Sequence, residues 1–214
     1  MSVDVKICGL STQEAVAASV AGGARYLGFV FYPPSPRAVT PEQAAGLCAL
    51  APSGIQKVGL FVDADDATIA ATLHAAAIDI IQFHGRETPD RVADAKIVHH
   101  RPVMKAIPIA GPEDVLLAGR YDGVADILLF DAKPPRGPGA LPGGNGLAFD
   151  WSLLAGHRWR RSWMLSGGLT VDNLAEAVRI TGAPAVDVSS GVESRPGVKD
   201  PEKIAAFLAV ARTL

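Results

Sequence analysis

The feature that most limits how this chain can fold is a short apolar run followed by a helical stretch, repeated along its whole length. Residues 3–7 alternate in the β manner, and the runs at 25–31, 57–62, 79–83, 103–107 and 125–130 are nearly continuous in apolar side chains. Two further strands end in the stretches 163–168 and 185–193. Helices are predicted over 14–21, 41–50, 66–76, about 88–95, 112–118, 171–180 and 201–211. Thr12 and Thr40 stand where N-caps belong, Pro41 occupies a first helical position, and Gly22-Gly23 closes the first helix. Strands without polar alternation are buried on both faces, which is how parallel strands covered by helices read. A closed barrel and an open doubly wound sheet both satisfy that pattern. Eight strands, and no Gly-x-Gly-x-x-Gly after the first, favour the closed (β/α)8 barrel, an α/β fold formed as one domain over 1–214.

Composition narrows the partners. The formal net charge is −2, so no basic field draws nucleic acid or an anionic membrane surface. No apolar run approaches the roughly 20 residues of a spanning helix, and Met1-Ser2-Val3-Asp4-Val5 lacks the order of a signal peptide. The two cysteines, at 8 and 48, show neither a disulfide framework nor metal-ligand spacing. The expectation is a cytoplasmic protein with reduced thiols. Glycine and proline act as punctuation between short elements. The exception is 132–148, where Lys133-Pro134-Pro135-Arg136-Gly137-Pro138-Gly139 leads to Gly143-Gly144-Asn145-Gly146. A segment of that length and composition reads as a mobile functional loop over the barrel mouth.

The last two strands carry the clearest functional sign. One ends in Ser166-Gly167-Gly168, with a helix start expected at Thr170; the other ends in Ser189-Ser190-Gly191. Two consecutive small-residue turns, each feeding a helix N-terminus, make an anion cradle from backbone donors, and barrels often hold phosphate after strands 7 and 8. Gly167, Gly168, Ser190 and Gly191 are therefore the candidate phosphate-binding residues, and the expected partner is a small phosphorylated molecule. At the other strand ends stand Cys8, Arg37, His84 and Asp131. A thiol and a carboxylate facing one another across a mouth can pass protons at opposite ends of a sugar phosphate. Each has a competing structural reading: Cys8 as a small buried hydrophobe, Asp131 as a turn cap, His84 as a structural hydrogen-bonding residue, Arg37 as a solvated loop charge. Cys48, among Ala and Leu on a helix, is assigned to packing. Lys6, inside an apolar strand, needs a partner.

Several segments together resemble a known family. Val5-Lys6-Ile7-Cys8-Gly9-Leu10, Gly28-Phe29-Val30-Phe31 with Ser35-Pro36-Arg37, Val58-Gly59-Leu60-Phe61, Gln82-Phe83-His84-Gly85, Ser166-Gly167-Gly168-Leu169 and Val186-Asp187-Val188-Ser189-Ser190-Gly191-Val192-Glu193, continuing to Lys199-Asp200, occur in the order and spacing of the phosphoribosylanthranilate isomerases of tryptophan biosynthesis. The resemblance runs from residue 5 to about residue 203. It implies a (β/α)8 barrel performing an Amadori rearrangement with no cofactor and no metal. It implies Cys8 as general base, Asp131 as general acid, Arg37 as holder of the anthranilate carboxylate, and Asp187 beside the sugar hydroxyls; His84, at the end of the fourth strand, is a further candidate substrate contact. Two positions depart from the family pattern: Phe83 where leucine is usual and Asn145 where threonine is usual. Cys8 argues against the similar histidine-pathway isomerase, which has aspartate there; a sugar-phosphate-binding protein without activity is the other alternative. The expected assembly is a monomer or a homodimer.

Overall fold

Each apolar run pairs in parallel with the next and the last pairs with the first, so the sheet closes and has no edge. The structure is a computed structural model and describes residues 3–134 and 141–214. Pro135, Arg136, Gly137, Pro138 and Gly139 of the expected loop lie outside the described residues. The barrel strands are β1 (Asp4–Cys8), β2 (Tyr26–Val30), β3 (Gln56–Phe61), β4 (Ile80–Phe83), β5 (Val103–Ile109), β6 (Ile127–Ala132), β7 (Ser162–Leu165) and β8 (Ala185–Val188). Helices α1 (Gln13–Ala21), α2 (Pro41–Cys48), α3 (Asp66–Ala75), α4 (Pro89–His99), α5 (Pro112–Ala118), α6 (Leu174–Thr181) and α7 (Pro201–Ala211) surround it. The caps are local and strong: Thr12, Asp65 and Thr88 each accept a backbone N–H at the third helical position, and Thr40 with Gln43 forms a capping box.

Alternate strand residues divide the core in two. Outward, Leu27, Phe29, Phe61, Phe83, Leu128 and Phe130 join the helices' Val16, Leu47, Ile69, Val92, Ile204 and Phe207 in one buried cluster. Inward, Val58, Ile80, Met104, Ala106, Ile127, Leu129, Met164 and Ala185 plug the barrel, many of them at the N-terminal ends of their strands. The opposite end is left to polar groups.

Three expectations change, at α4, α6 and the segment after β8. Helix α4 runs on to His99 and stops where His100 turns left-handed (φ 49°). Helix α6 starts at Leu174, not near Thr170, because residues 171–173 form a turn. Between β6 and β7, where the sequence predicts a loop and no helix, the described residues form a 3-10 turn, Trp151–Leu154. The outer face there is covered by aromatic rings, Trp159 and Trp163 lying 4.8 and 5.7 Å from Phe130. After β8 the chain makes a 3-10 turn (Ser190–Val192) and a hairpin of β9 (Glu193–Arg195) and β10 (Val198–Lys199) before reaching α7.

The rim is braced by a buried ion pair. Lys105 Nζ of β5 donates to Glu87 Oε2 at 2.9 Å, with side chains only 3% and 2% exposed. Glu87 also accepts from the backbone N–H groups of Asp63 and Gly85, each at 2.9 Å, fixing the turns after β3 and β4. Glu87→Gln leaves a buried ammonium without its anion and should lower the unfolding free energy by about 3–5 kcal/mol. Denaturant titration checks it; a loss within about 1 kcal/mol would mean the pair is dispensable.

Candidate active site

The polar end of the barrel is assembled from strand ends. Cys8 closes β1 as a buried free thiol. Two residues before it, on the same inward face, Lys6 is fully buried and donates to Asp187 Oδ1 of β8 at 2.9 Å. Asp187 Oδ2 accepts from Ser166 Oγ at 3.3 Å. Both carboxylate oxygens of Asp187 therefore already have protein partners. Burial pulls the Lys6 ammonium towards neutrality, but the facing Asp187 and Cys8 outweigh it and hold Lys6 above the ordinary lysine range. Gly28, opposite Cys8 on β2, makes the arrangement possible: a Cβ there would lie 3.0 Å from Lys6 Nζ and 3.2 Å from Cys8 Sγ.

Burial also dominates at Cys8. It pushes the thiol above its ordinary value, with Lys6 and Lys199 pulling the other way and Asp187 adding to the rise. The wall around the sulfur is apolar, formed by Val30 and Leu60 with Tyr32 and Val62 beside them. Cys48 is pushed up to about 11 by burial on α2, in keeping with a packing role.

Across the mouth, Asp131 Oδ1 on β6 accepts from the N–H of Ala132 at 2.9 Å, and Oδ2 lies 3.2 Å from His84 Nε2. His84 Nδ1 in turn lies 3.2 Å from Gln82 Nε2, on a fully buried Gln82. The thiol and the carboxylate thus stand in one cavity on well-separated strands, as expected.

Arg37 is no solvated loop charge. It is 5% exposed, and Nε and Nη2 donate to the two carboxylate oxygens of Glu193 at 2.8 and 2.9 Å. Nη2 also donates to the carbonyl of Gly144 at 3.1 Å. Glu193 Oε1 accepts from Lys199 Nζ at 2.6 Å, and Lys199 donates as well to the carbonyl of Ser189 at 2.9 Å. Ser189 Oγ donates to the carbonyl of Cys8 at 3.1 Å. Sequence reasoning gave Glu193, Lys199 and Gln82 no role. The available signal was two ionisable residues bracketing the Pro196-Gly197 turn directly after the anion cradle.

The described part of the loop after β6 lies across these groups. A Cβ on Gly143 would come within 2.6 Å of His84 Nε2 and 2.9 Å of Asp131 Oδ2, and one on Gly144 within 2.6 Å of Arg37 Nη1. Only glycine lets the backbone approach so closely. Asn145 donates through Nδ2 to the carbonyl of Leu141 at 2.9 Å, closing the loop on itself. With the loop here the free volume inside is about 60 Å³, well short of the roughly 300–1,000 Å³ of a small-molecule site.

The two turns behave differently. Gly167 and Gly168 are left-handed (φ 87° and 64°), and Gly168 faces the backbone of Leu147 and Ala148 too closely for a side chain. Asn173, which stands before α6, accepts from the N–H of Thr170 at 2.8 Å and donates to the carbonyl of Gly168 at 2.9 Å, so it anchors this turn. After β8 the first N–H groups belong to the 3-10 turn, not to an α-helix. Gly191 is pressed against the carbonyl oxygen of Leu169, where a Cβ would collide. One cavity is lined by Cys8, Arg37, His84, Asp131, Asp187, Gly167, Gly168 and Ser190, together with residues of the loop. Gly191 is not on its wall; it lets the two turns lie together. Among the described residues no cluster of His, Cys, Asp and Glu is arranged to hold a metal ion. No helix there is long and apolar enough to cross a membrane.

Comparison with known proteins places the chain in a family. The N-(5'-phosphoribosyl)anthranilate isomerase of Rhodospirillum centenum is 59% identical over 214 residues, covering 100% of both chains. A solved phosphoribosyl anthranilate isomerase in complex with reduced 1-(o-carboxyphenylamino)-1-deoxyribulose 5-phosphate is 34% identical, with a TM-score of 0.85 over 99% of this chain and 100% of its own. Monomers generated from the dimeric isomerase of Thermotoga maritima are 35% identical, with a TM-score of 0.84 over the same shares. The family model for N-(5'phosphoribosyl)anthranilate (PRA) isomerase matches residues 5–210, and the chain belongs to that family.

Proposed function

We propose that the chain catalyses the Amadori rearrangement of N-(5-phosphoribosyl)anthranilate to 1-(2-carboxyphenylamino)-1-deoxyribulose 5-phosphate in tryptophan biosynthesis. Residues 1–214 act as one catalytic domain in the cytoplasm, as a monomer or homodimer. The observation that carries the reading is the single cavity into which Cys8, Asp131, Arg37 and the small-residue turn at Gly167-Gly168 all open. The phosphate lies at that turn and at Ser190, near the N-terminus of the 3-10 turn. The anthranilate carboxylate lies at Arg37 and its ring against the apolar wall beside Cys8. His84 orients Asp131, and Asp187 reaches the sugar hydroxyls while holding Lys6.

Asp131 gives a proton to the furanose oxygen; the C1–O bond breaks and the anilino nitrogen becomes a protonated Schiff base. Cys8 then removes the proton from C2, and the electron pair flows into the cationic nitrogen to give an enol, which collapses to the ketone. The acid must start protonated and the base deprotonated, the reverse of their ordinary order. A buried thiol with its proton on is the resting form, so the active form is a minor one near neutral pH.

Two measurements follow. In a Cys48→Ala background, alkylation of Cys8 by iodoacetamide should show a midpoint above the about 8.5 of a free thiol; a midpoint near 7 would mean that Lys6 outweighs burial. Turnover of freshly made phosphoribosylanthranilate should fall at least about 10²-fold in kcat for Cys8→Ser and for Asp131→Asn, the usual scale for losing a general base or acid. Unchanged thermal melts serve as the folding control. Near-native turnover of Cys8→Ser would reduce that thiol to packing and move the base to Asp187 or His84.

A further inference from the structure

We propose that the β9–β10 hairpin sets the specificity of the site, with Glu193 as the positioning residue that makes Arg37 meet a ligand carboxylate end-on through Nη1. The inference rests on Arg37 being the carboxylate holder. It starts from the five N–H donors of a guanidinium. The Nε–Nη2 edge, one of the two suited to a bidentate carboxylate, is closed by Glu193 at 2.8 and 2.9 Å. The second hydrogen of Nη2 points to the carbonyl of Gly144 at 3.1 Å. What remains is Nη1, lying against Gly144 and without a protein acceptor among the described residues, on an Arg37 that lines the cavity.

Charge points the same way. Arg37, Glu193 and Lys199 have side chains only 6%, 4% and 1% exposed, so two cations share one anion out of water. Burial pulls the Lys199 ammonium below its ordinary value against the hold of Glu193, and an entering carboxylate would supply a second anion to this nearly dry cluster. Glu193 remains ionised: burial pushes its carboxyl up, but the bonds from Arg37 and Lys199 hold it below its ordinary value. Lys199 fixes the hairpin in turn, through Glu193 at 2.6 Å and the carbonyl of Ser189 at 2.9 Å, next to the phosphate-side turn. The two ends of the ligand are therefore spaced by one rigid piece of chain. An acid whose carboxylate sits elsewhere on the ring cannot reach Nη1 with its phosphate seated.

The test compares Glu193→Gln, Arg37→Lys and the double variant. For Glu193→Gln we expect KM to rise about 10-fold or more with kcat within about threefold, the loss expected when a buried charge pair is broken. Competitive inhibition by anthranilate should weaken by the same factor, and inhibition by inorganic phosphate should hold within about twofold, which a general structural defect would not spare. The double variant should be no worse than Arg37→Lys alone, because one interaction cannot be lost twice. A raised KM for Arg37→Lys with native kinetics for Glu193→Gln overturns the positioning role alone. Native kinetics for Arg37→Lys overturns the reading of Arg37 itself. If Glu193→Gln does not fold, the native protein decides by NMR. The Arg37 Nε–H resonance should be protected from exchange and stay in place at saturating anthranilate while the Nη1 signals move; a shifted Nε–H would mean Glu193 is displaced, and the proposal fails.

Discussion

An ammonium group with no access to water, in the middle of an apolar barrel, is costly unless an anion faces it. Here the anion is Asp187, and the Lys6–Asp187 contact at 2.9 Å spans β1 and β8, the seam at which the sheet closes. Much of the polar end follows from it. Gly28 has no side chain because Lys6 Nζ and Cys8 Sγ need the room. Ser166 turns its hydroxyl to the free oxygen of Asp187 and so draws the end of β7 into the same network. The cation that makes the seam hold is also the one that partly offsets the burial of the thiol. Structure and reactivity share one charge, and neither can be altered alone.

Much of this was legible in the residues. Strands 57–62 and 79–83 announce themselves because both faces are buried, and Thr40-Pro41 or Asp200-Pro201 begin helices by short-range chemistry that tertiary context has no reason to override. The thiol, the carboxylate and the Gly167-Gly168 turn could be placed at strand ends once the barrel was in hand. What failed had non-local causes. Thr170 looks like a cap, but Asn173 reaches back to the Gly168 carbonyl and delays the helix by a turn. The aromatic cover of Phe130 by Trp159 and Trp163 comes together only in the fold. Arg37 reads as a substrate contact, but its pairing with Glu193 is invisible because the partner lies 156 residues away. No window along the sequence contains both ends of that contact.

The mouth shows how glycine substitutes for a binding surface. Gly143 and Gly144 lie against His84, Asp131 and Arg37, groups that would otherwise face solvent or ligand. In this arrangement the backbone of the loop stands in for part of the ligand, and the Gly144 carbonyl borrows an Arg37 hydrogen. A ligand entering the cavity meets the protein's own chain at these groups.

The separations along the chain have a consequence for how the molecule is made. Ser189 bonds to the carbonyl of Cys8 across 181 residues, the same separation that divides Lys6 from Asp187. At ribosomal speeds of about 5–20 residues per second, the first strand has β2 soon but waits roughly 10–40 seconds for its partners on β8. Through that interval Lys6 must stay hydrated, and β1 remains an open edge with nothing to pair on its outer side. A nascent chain cut short before the hairpin carries a thiol, an arginine and an acid, but no frame relating them. The site is thus among the last things the polypeptide acquires.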